Sequence, residues 1–319
     1  MSTINPNYIG SINQAASTTD EQRALFLKVF ANQVIVEFDR ATVMMDKHVV
    51  RTISSGKSAQ FPVFGNMSAA YHSPGTKLAG LTNNKGERVI TIDRLLTSST
   101  YIYDLDEAMA HFEVRDKYAQ KIGKALALTA DRHVLINVLL AARASATLTD
   151  GNGGSQITNA DFASSIISTK ASALAAGLFE AAQVLDEKDV PEENRYAIFR
   201  PAEYYALVQS KDAINRDWGG SGAYSEGNIF RVAGISIIKS NQLPNSNLTA
   251  TGIYTYHNGN FSNTYGVVFH EEAVGTVKLM DIATEMDRLI EYQADLMVGK
   301  YAMGHGILRP ECAVELISA

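Results

Sequence analysis

The stretch from Asp104 to about Ala144 constrains the fold more than any other. Leu105, Ala108, Met109, Phe112, Ala119, Ile122 and Leu126 recur at helical spacing. Asp104 and Glu107 make a D-x-x-E start that resembles a capping box. Asp106 adds negative charge near the positive helix end, and Arg132 and Arg143 sit late in the segment. Unbroken, such a helix is on the order of 60 Å long at 1.5 Å per residue. That is long for a globular domain and suits the backbone of a flat or elongated subunit. Gly123 offers a place to bend.

A second constraint comes from the β-like stretch between about His48 and Asp93. Its arms are Val49–Val63 and Glu87–Asp93. Between them lie Pro62, Gly65, Pro74, Gly75, Gly80, Asn83, Asn84 and Gly86, a concentration of turn formers. A two-stranded excursion of this length is marginal alone in water and must lie on something else, its own domain or a neighbouring subunit.

The rest of the chain is an α/β mixture. Residues 1–19 read as an extended arm, and Asp20–Arg40 as a helix capped by Asp20, with Leu25, Val29 and Val36 on its apolar face. After a glycine-rich loop at Thr149–Ser155 come a helix over Ala160–Glu187, a strand at Tyr196–Phe199 and a helix opened by Pro201. Gly219–Gly227 is a second glycine-rich loop, and Ile229–Lys239 is read as strand. From Tyr265 strands dominate: Val267–Phe269, Thr276–Leu279 and Tyr292–Ala302. In the last of these Tyr292, Ala294, Leu296, Val298 and Ala302 share one face.

Composition narrows the function classes. The 319 residues are 46% hydrophobic and 19% charged, ordinary for a globular chain with a real core. A formal charge of −6 argues against a sequence-tolerant nucleic-acid binder, which needs a basic surface. With one cysteine, Cys312, an intramolecular disulfide framework is excluded. Val134–Ala142 is an apolar run too short for a membrane span, and residues 1–19 lack the basic and apolar regions of a signal peptide.

Catalytic signatures fail on spacing. Ser54–Ser58 carries the G-K-S end of a phosphate-binding loop, but Arg51 stands where the first glycine belongs. A strand-like Ala59–Val63 follows instead of a helix, so a phosphate-binding enzyme is only the alternative reading. His270-Glu271-Glu272 lacks a second histidine four residues after the first. His48, His72, His111, His133, His257 and His305 are dispersed, each read as a surface or packed side chain. Asp104–Glu107 reads as a helix cap rather than a magnesium site, and Cys312 with His305 as packing rather than nucleophile and base. No catalytic, cofactor or metal residue is expected.

Several blocks, in order along nearly the whole chain, resemble the major capsid proteins of T-seven-like short-tailed phages. They include Ala24–Phe30, Arg51–Val63, Val89–Asp93 with Leu95–Thr97, Ala273–Leu279 and Lys300–Glu311. The resemblance implies an α+β chain of the Hong Kong 97 capsid type. Its N-terminal arm region would span 1–47 and its extended β-hairpin loop 48–97. A peripheral domain with a long spine helix would take 98–149 and 276–304, and an axial domain 150–275 and 305–319. It further implies assembly into pentamers and hexamers of an icosahedral head, through a scaffold-directed precursor that expands. Partners would be the chain itself, a scaffolding protein and a portal, around double-stranded DNA that is enclosed without specific binding, in a virion put together in the host bacterial cytoplasm and not on a membrane. An encapsulin-like compartment shell shares the fold and is the nearer alternative. On the apolar cluster around Pro62, Phe61, Val63 and Phe64 are expected to contact a neighbouring subunit. Gly56, Gly86 and Gly123 are the expected hinges. Lys57 lies in the loop, and nothing assigns it a crosslink.

Overall fold

A computed structural model describes residues 19–65, 84–92, 94–103, 114–209, 231–249 and 257–319, with 67, 69, 71–75, 77, 80, 105 and 109; the side chains of the first helix are described from Lys28. The helices are α1 (Thr19–Ala41), α2 (Val114–Arg143), α3 (Ile167–Glu187) and α4 (Pro201–Val208). The strands are β1 (Val49–Thr52), β2 (Ser58–Phe64), β3 (Lys85–Thr91), β4 (Leu96–Tyr103), β5 (Ser155–Thr158), β6 (Arg195–Phe199), β7 (Arg231–Val232), β8 (Ile235–Lys239), β9 (Thr264–His270), β10 (Val274–Leu289), β11 (Ala294–Ile307) and β12 (Ala313–Ile317). The mixture is α+β. It divides into two units: residues 1–42, 93–130 and 280–303 form the first, and 43–92, 131–279 and 304–319 the second.

In the first unit α1 lies against the N-terminal half of α2, which lies against β11. An ideal Cβ on Gly123 would stand 2.5 Å from the Val34 carbonyl oxygen, so the two helix backbones nearly touch. Phe30, Val34 and Phe38, spaced four residues apart, are the buried stripe of α1. The expected Val29 and Val36 are instead about half exposed; the stripe follows the side facing Gly123, and Leu25 lies outside the described side chains. Asp20, expected as the cap, sits inside the first turn. On β11 Met297, Gly299 and Tyr301 are buried, and of the expected face Ala294 and Ala302 are buried while Leu296 and Val298 are half-buried. Gly299 admits the packing of the Met297 side, because its missing side chain leaves room for Ile122 and Leu126 of α2. Tyr292, expected on that strand, is exposed in a 3-10 turn.

Helix α2 covers 30 residues, about 45 Å. The expected helix began at Asp104; Leu105 and Met109 are helical, while 104, 106–108 and 110–113 lie outside the described residues. By length and composition Arg115–Arg143 is apolar enough to cross a membrane, and 67% of its apolar window is buried within the protein. Its apolarity is therefore that of a core helix.

The second unit is built on a six-stranded sheet in the order β5-β12-β9-β6-β8-β7. Strands β6 and β9 read Arg-Tyr-Ala-Ile-Phe and Thr-Tyr-Gly-Val-Val-Phe-His, nearly all buried, as expected of inner strands covered on both faces. The C-terminal half of α2 contributes Val134, Leu135, Val138 and Leu139 to this core. Helix α3 packs where Gly177 meets Phe162 and Leu316. The helix expected over Ala160–Glu187 is a 3-10 turn at Ala160–Ala163 followed by α3. Strand β5 at the end of the first glycine-rich loop was not expected; the Gly219–Gly227 loop lies outside the described residues.

The expected strand Val49–Val63 is two strands. β1 runs parallel to the start of β10, Val49 opposite Gly275 and Thr52 opposite Lys278. Gly56, at φ +107, turns the chain into β2, which pairs antiparallel with β3 from Ser58↔Thr91 to Phe64↔Lys85.

Candidate assembly interface

The β2–β3 hairpin has two unlike faces. Ala59, Phe61 and Val63 point inward, and Ala59 joins Ile90, Val277 and Leu308 in a small apolar cluster against which Phe61 packs. The Arg51 guanidinium lies 5.6 Å from the Phe61 ring centroid and donates to the Gln60 carbonyl at 2.9 Å. Pro62 and Phe64 alternate onto the outer face, opposite Glu87 and Lys85, with Val89 opposite Gln60. Phe64 is 66% exposed and Val89 50%. The three expected contact residues thus divide: Phe61 and Val63 face the chain itself, and Phe64 faces solvent. Further along, Met67 and Tyr71 are also exposed.

The hairpin is tied down at its far end. Arg88 donates to the Thr147 hydroxyl through Nε and Nη2, at 3.2 and 2.9 Å, and Asn84 donates to Asp150. A Cβ on Gly86 would come within 2.8 Å of the Leu148 side chain. Of the three expected hinge glycines, Gly56 occupies a left-handed turn, whereas Gly86 and Gly123 stand at close approaches. Beside β2 a cleft of about 750 Å³ opens toward Leu148, with Lys188, Glu272, Arg309 and Glu311 at its polar end.

Chemistry-bearing side chains cluster in two places within this second unit. His270, Glu272 and Cys312 bring donor atoms within 4.8 Å of one another. Two of these groups are in use: His270 Nδ1 accepts the Glu272 N–H at 3.3 Å, and Arg309 donates to the Glu272 carboxylate and, at 2.8 Å, to Glu311. Burial pushes the Cys312 thiol up to about 12, so it is not a nucleophile at neutral pH. The sequence pairing of Cys312 with His305 does not occur, since His305 bonds elsewhere.

The second cluster gathers histidines that are dispersed in sequence, of which His48, His257 and His305 are packed side chains. His133 stacks on His257 at 4.6 Å and lies 6.1 Å from His305. His48 Nδ1 donates to the Met44 carbonyl at 2.7 Å, because a carbonyl only accepts. In the neutral ring Nε2 then accepts the Thr276 hydroxyl at 2.6 Å. Thr276 Oγ1 in turn accepts from His305 Nδ1 at 2.8 Å. Burial lowers His48 to about 4 and His305 well below the ordinary histidine range. Beside them the Asp131 carboxylate accepts the Val43 and Met44 N–H groups at 2.9 and 3.2 Å, and burial raises it to about 6. No sequence spacing could reveal this centre, since its members come from five separate segments.

Ser54–Ser58 forms the turn between β1 and β2 and leads into strand, not into the helix a phosphate loop needs. What the described surface offers instead is an apolar hairpin face, alongside two long strands and a long helix shared between two units. That is the architecture of a shell subunit of the Hong Kong 97 type, and the solved capsid of cyanophage P-SCSP1u superposes on it. The TM-score is 0.77 at 46% identity, over 87% of this chain and 88% of that one. Residues 60–317 match the family described as Gp10A-like, major capsid protein. The major capsid protein of Escherichia phage T7 is 35% identical over 92% of this chain and 91% of its own length. That of Enterobacteria phage T3 is 33% identical over 97% and 96%. The chain belongs to the Gp10A-like family and is a phage major capsid protein. These relatives do not favour an encapsulin-like compartment.

Proposed function

We propose that this chain closes into an icosahedral phage head as pentamers and hexamers around double-stranded DNA, without enzymatic chemistry. Closed shells need heterologous contacts that complete rings from one sequence. The observation that carries the reading is the 46% identity to a phage capsid chain across most of both molecules. The outer hairpin face of Pro62, Phe64 and Val89 supports it, as apolar area that the folded chain leaves uncovered. Phe64 meets a neighbouring subunit, with Phe61 and Val63 setting the hairpin from behind. The first unit serves as the core of the peripheral domain around 98–149 and 276–304, and the six-stranded sheet as that of the axial domain around 150–275 and 305–319. Assembly runs in the host cytoplasm through a scaffold-directed precursor that joins a portal and then expands. Gly56, which already holds a left-handed turn, is the glycine of the three that absorbs altered backbone angles.

The acidic balance of −6 fits a container that packs DNA without gripping it. Electron microscopy of the chain expressed with its scaffold tests the reading. Discrete icosahedral particles are expected, and soluble monomers under assembly conditions would overturn it. Capsomers should also fail to retard duplex DNA at physiological salt; tight, salt-sensitive retention would refute the non-gripping wall.

A further inference from the structure

The centre formed by His48, Thr276 and His305 joins three parts of the second unit through neutral imidazoles alone. The Val43–His48 turn is held by its carbonyl, since Met44 O accepts from both His48 Nδ1 and the Lys47 N–H at 3.0 Å. Asp131 holds the same turn by its N–H groups. Thr276 lies on β10 and His305 on β11, so the hydroxyl relay bolts the turn to both strands. His48, Thr276 and His305 are all buried, Thr276 completely.

We propose that this relay is an acid-sensitive bolt: it closes in this sense only while the His48 ring is neutral, and protonation of the buried pair releases the Val43–His48 turn from β10 and β11. The relay has a fixed sense. His48 Nε2 must accept, and a proton placed there takes away the acceptor of the Thr276 hydroxyl hydrogen, so the oxygen would receive both ring N–H groups while its own hydrogen loses its partner. The charge has few counter-ions. Facing His48 are Asp46 of the turn and Lys278 of β10; facing His305 are His133 of α2, His257 and His48. Asp131 of α2 faces the turn with Lys47. Two lysines and the further imidazoles of His133 and His257 therefore stand against two carboxylates.

The sign follows from burial. His48, depressed to about 4 in the folded chain against about 6.5 unfolded, contributes stability in full above about pH 6.5. That contribution is lost as pH falls toward 4, and His305 acts in the same sense. Asp131, raised to about 6, acts oppositely: its contribution is full below about pH 4 and lost as pH rises through 6. Two imidazoles oppose one carboxylate, so acid opens the bolt.

The test uses the full-length chain and a neutral mimic, His48→Gln with His305→Asn, in which Gln Oε1 takes the Thr276 hydroxyl and Asn Nδ2 replaces the His305 donor. Unfolding is followed by calorimetry at intervals from pH 7.5 to 4.5, in buffers of differing ionisation enthalpy to count protons taken up. At pH 5.5 the wild-type chain should take up about two more protons on unfolding than the mimic, and its melting temperature should fall more steeply with acid. Equal slopes and equal proton uptake would overturn the proposal. Should the double variant fail to fold, each single variant should remove roughly half the excess uptake; single variants indistinguishable from wild type would overturn it equally.

Discussion

Arg143, the last residue of α2, grips Glu315 of β12 with two parallel bonds, Nε to Oε2 at 2.7 Å and Nη2 to Oε1 at 2.6 Å. Glu315 is fully buried, and its remaining lone pairs take Gln156 at 2.8 Å and the Thr264 hydroxyl at 2.5 Å. Arg143 also reaches the Asn260 carbonyl at 2.7 Å and lies 4.8 Å from the Phe261 ring centroid. One carboxylate thereby fastens the spine helix, β5, the start of β9 and β12.

Removing that carboxylate leaves a half-buried guanidinium and two polar side chains without their acceptor. Glu315→Ala should cost about 3–5 kcal/mol in chemical denaturation, the range for breaking a buried ion pair from one side. Glu315→Gln, which keeps an acceptor oxygen but not the charge, should cost less. A loss under about 1 kcal/mol for the alanine variant would show that the network contributes little.

The stability of Asp131→Asn relative to the wild type should depend on pH. The wild-type carboxyl, raised by burial to about 6, favours the folded chain most at acid pH and loses that advantage as pH rises. From pH 3.5 to 7.5 the asparagine variant should therefore gain about 3 kcal/mol relative to wild type, two pKa units' worth. A stability difference that stays constant across this range would contradict the burial of Asp131.

Gly123→Ala separates a hinge from a contact. If the glycine served only flexibility, alanine would stabilise α2 by up to about 1 kcal/mol. The new Cβ instead falls 2.5 Å from the Val34 carbonyl oxygen, which is backbone and cannot rotate away. Overpacking of this kind costs about 1–3 kcal/mol, so the variant should be less stable than wild type. A higher melting temperature would restore the hinge.

Phe61 and Phe64 are predicted to fail in different assays. Phe61→Ser should cost the monomer about 1–2 kcal/mol, below the ~3–5 of a fully buried phenylalanine, because the ring is half-buried on its own chain. Phe64→Ser should leave monomer stability within about 0.5 kcal/mol, as expected of an exposed site, yet reduce particle yield in electron micrographs. Normal particles from Phe64→Ser would remove the outer hairpin face from the assembly contact.

Sequence pattern revealed elements where the periodicity was long, and misassigned faces where a glycine decided them. The spine helix and the hairpin arms were legible from Leu126-type spacing and from the turn formers around Gly80. The buried side of β11 was not, because Gly299 and Gly123 act by what they lack, and hydrophobic alternation cannot register an empty position. The break between β1 and β2 was hidden because Val49–Val63 is strand-like almost throughout, and only the φ of Gly56 divides it. The unsupported β excursion and the long helix, rather than composition, pointed toward contact with a neighbour. The apolar cluster around Pro62 could not distribute Phe61, Val63 and Phe64 between two faces, since that depends on the register with β3. The histidine centre was invisible for a different reason: residues 48, 133, 257 and 305 meet only after the sheet and spine are in place.

The position of β12 governs how the chain can be made. It pairs with β5 on one side and β9 on the other, and both are translated before it. Until Ala313–Ile317 leave the ribosome, the six-stranded sheet has a gap between these two neighbours. The pairing of β12, the last of the six strands in chain order, is therefore the step that completes the sheet, and until then the facing edges of β5 and β9 are open.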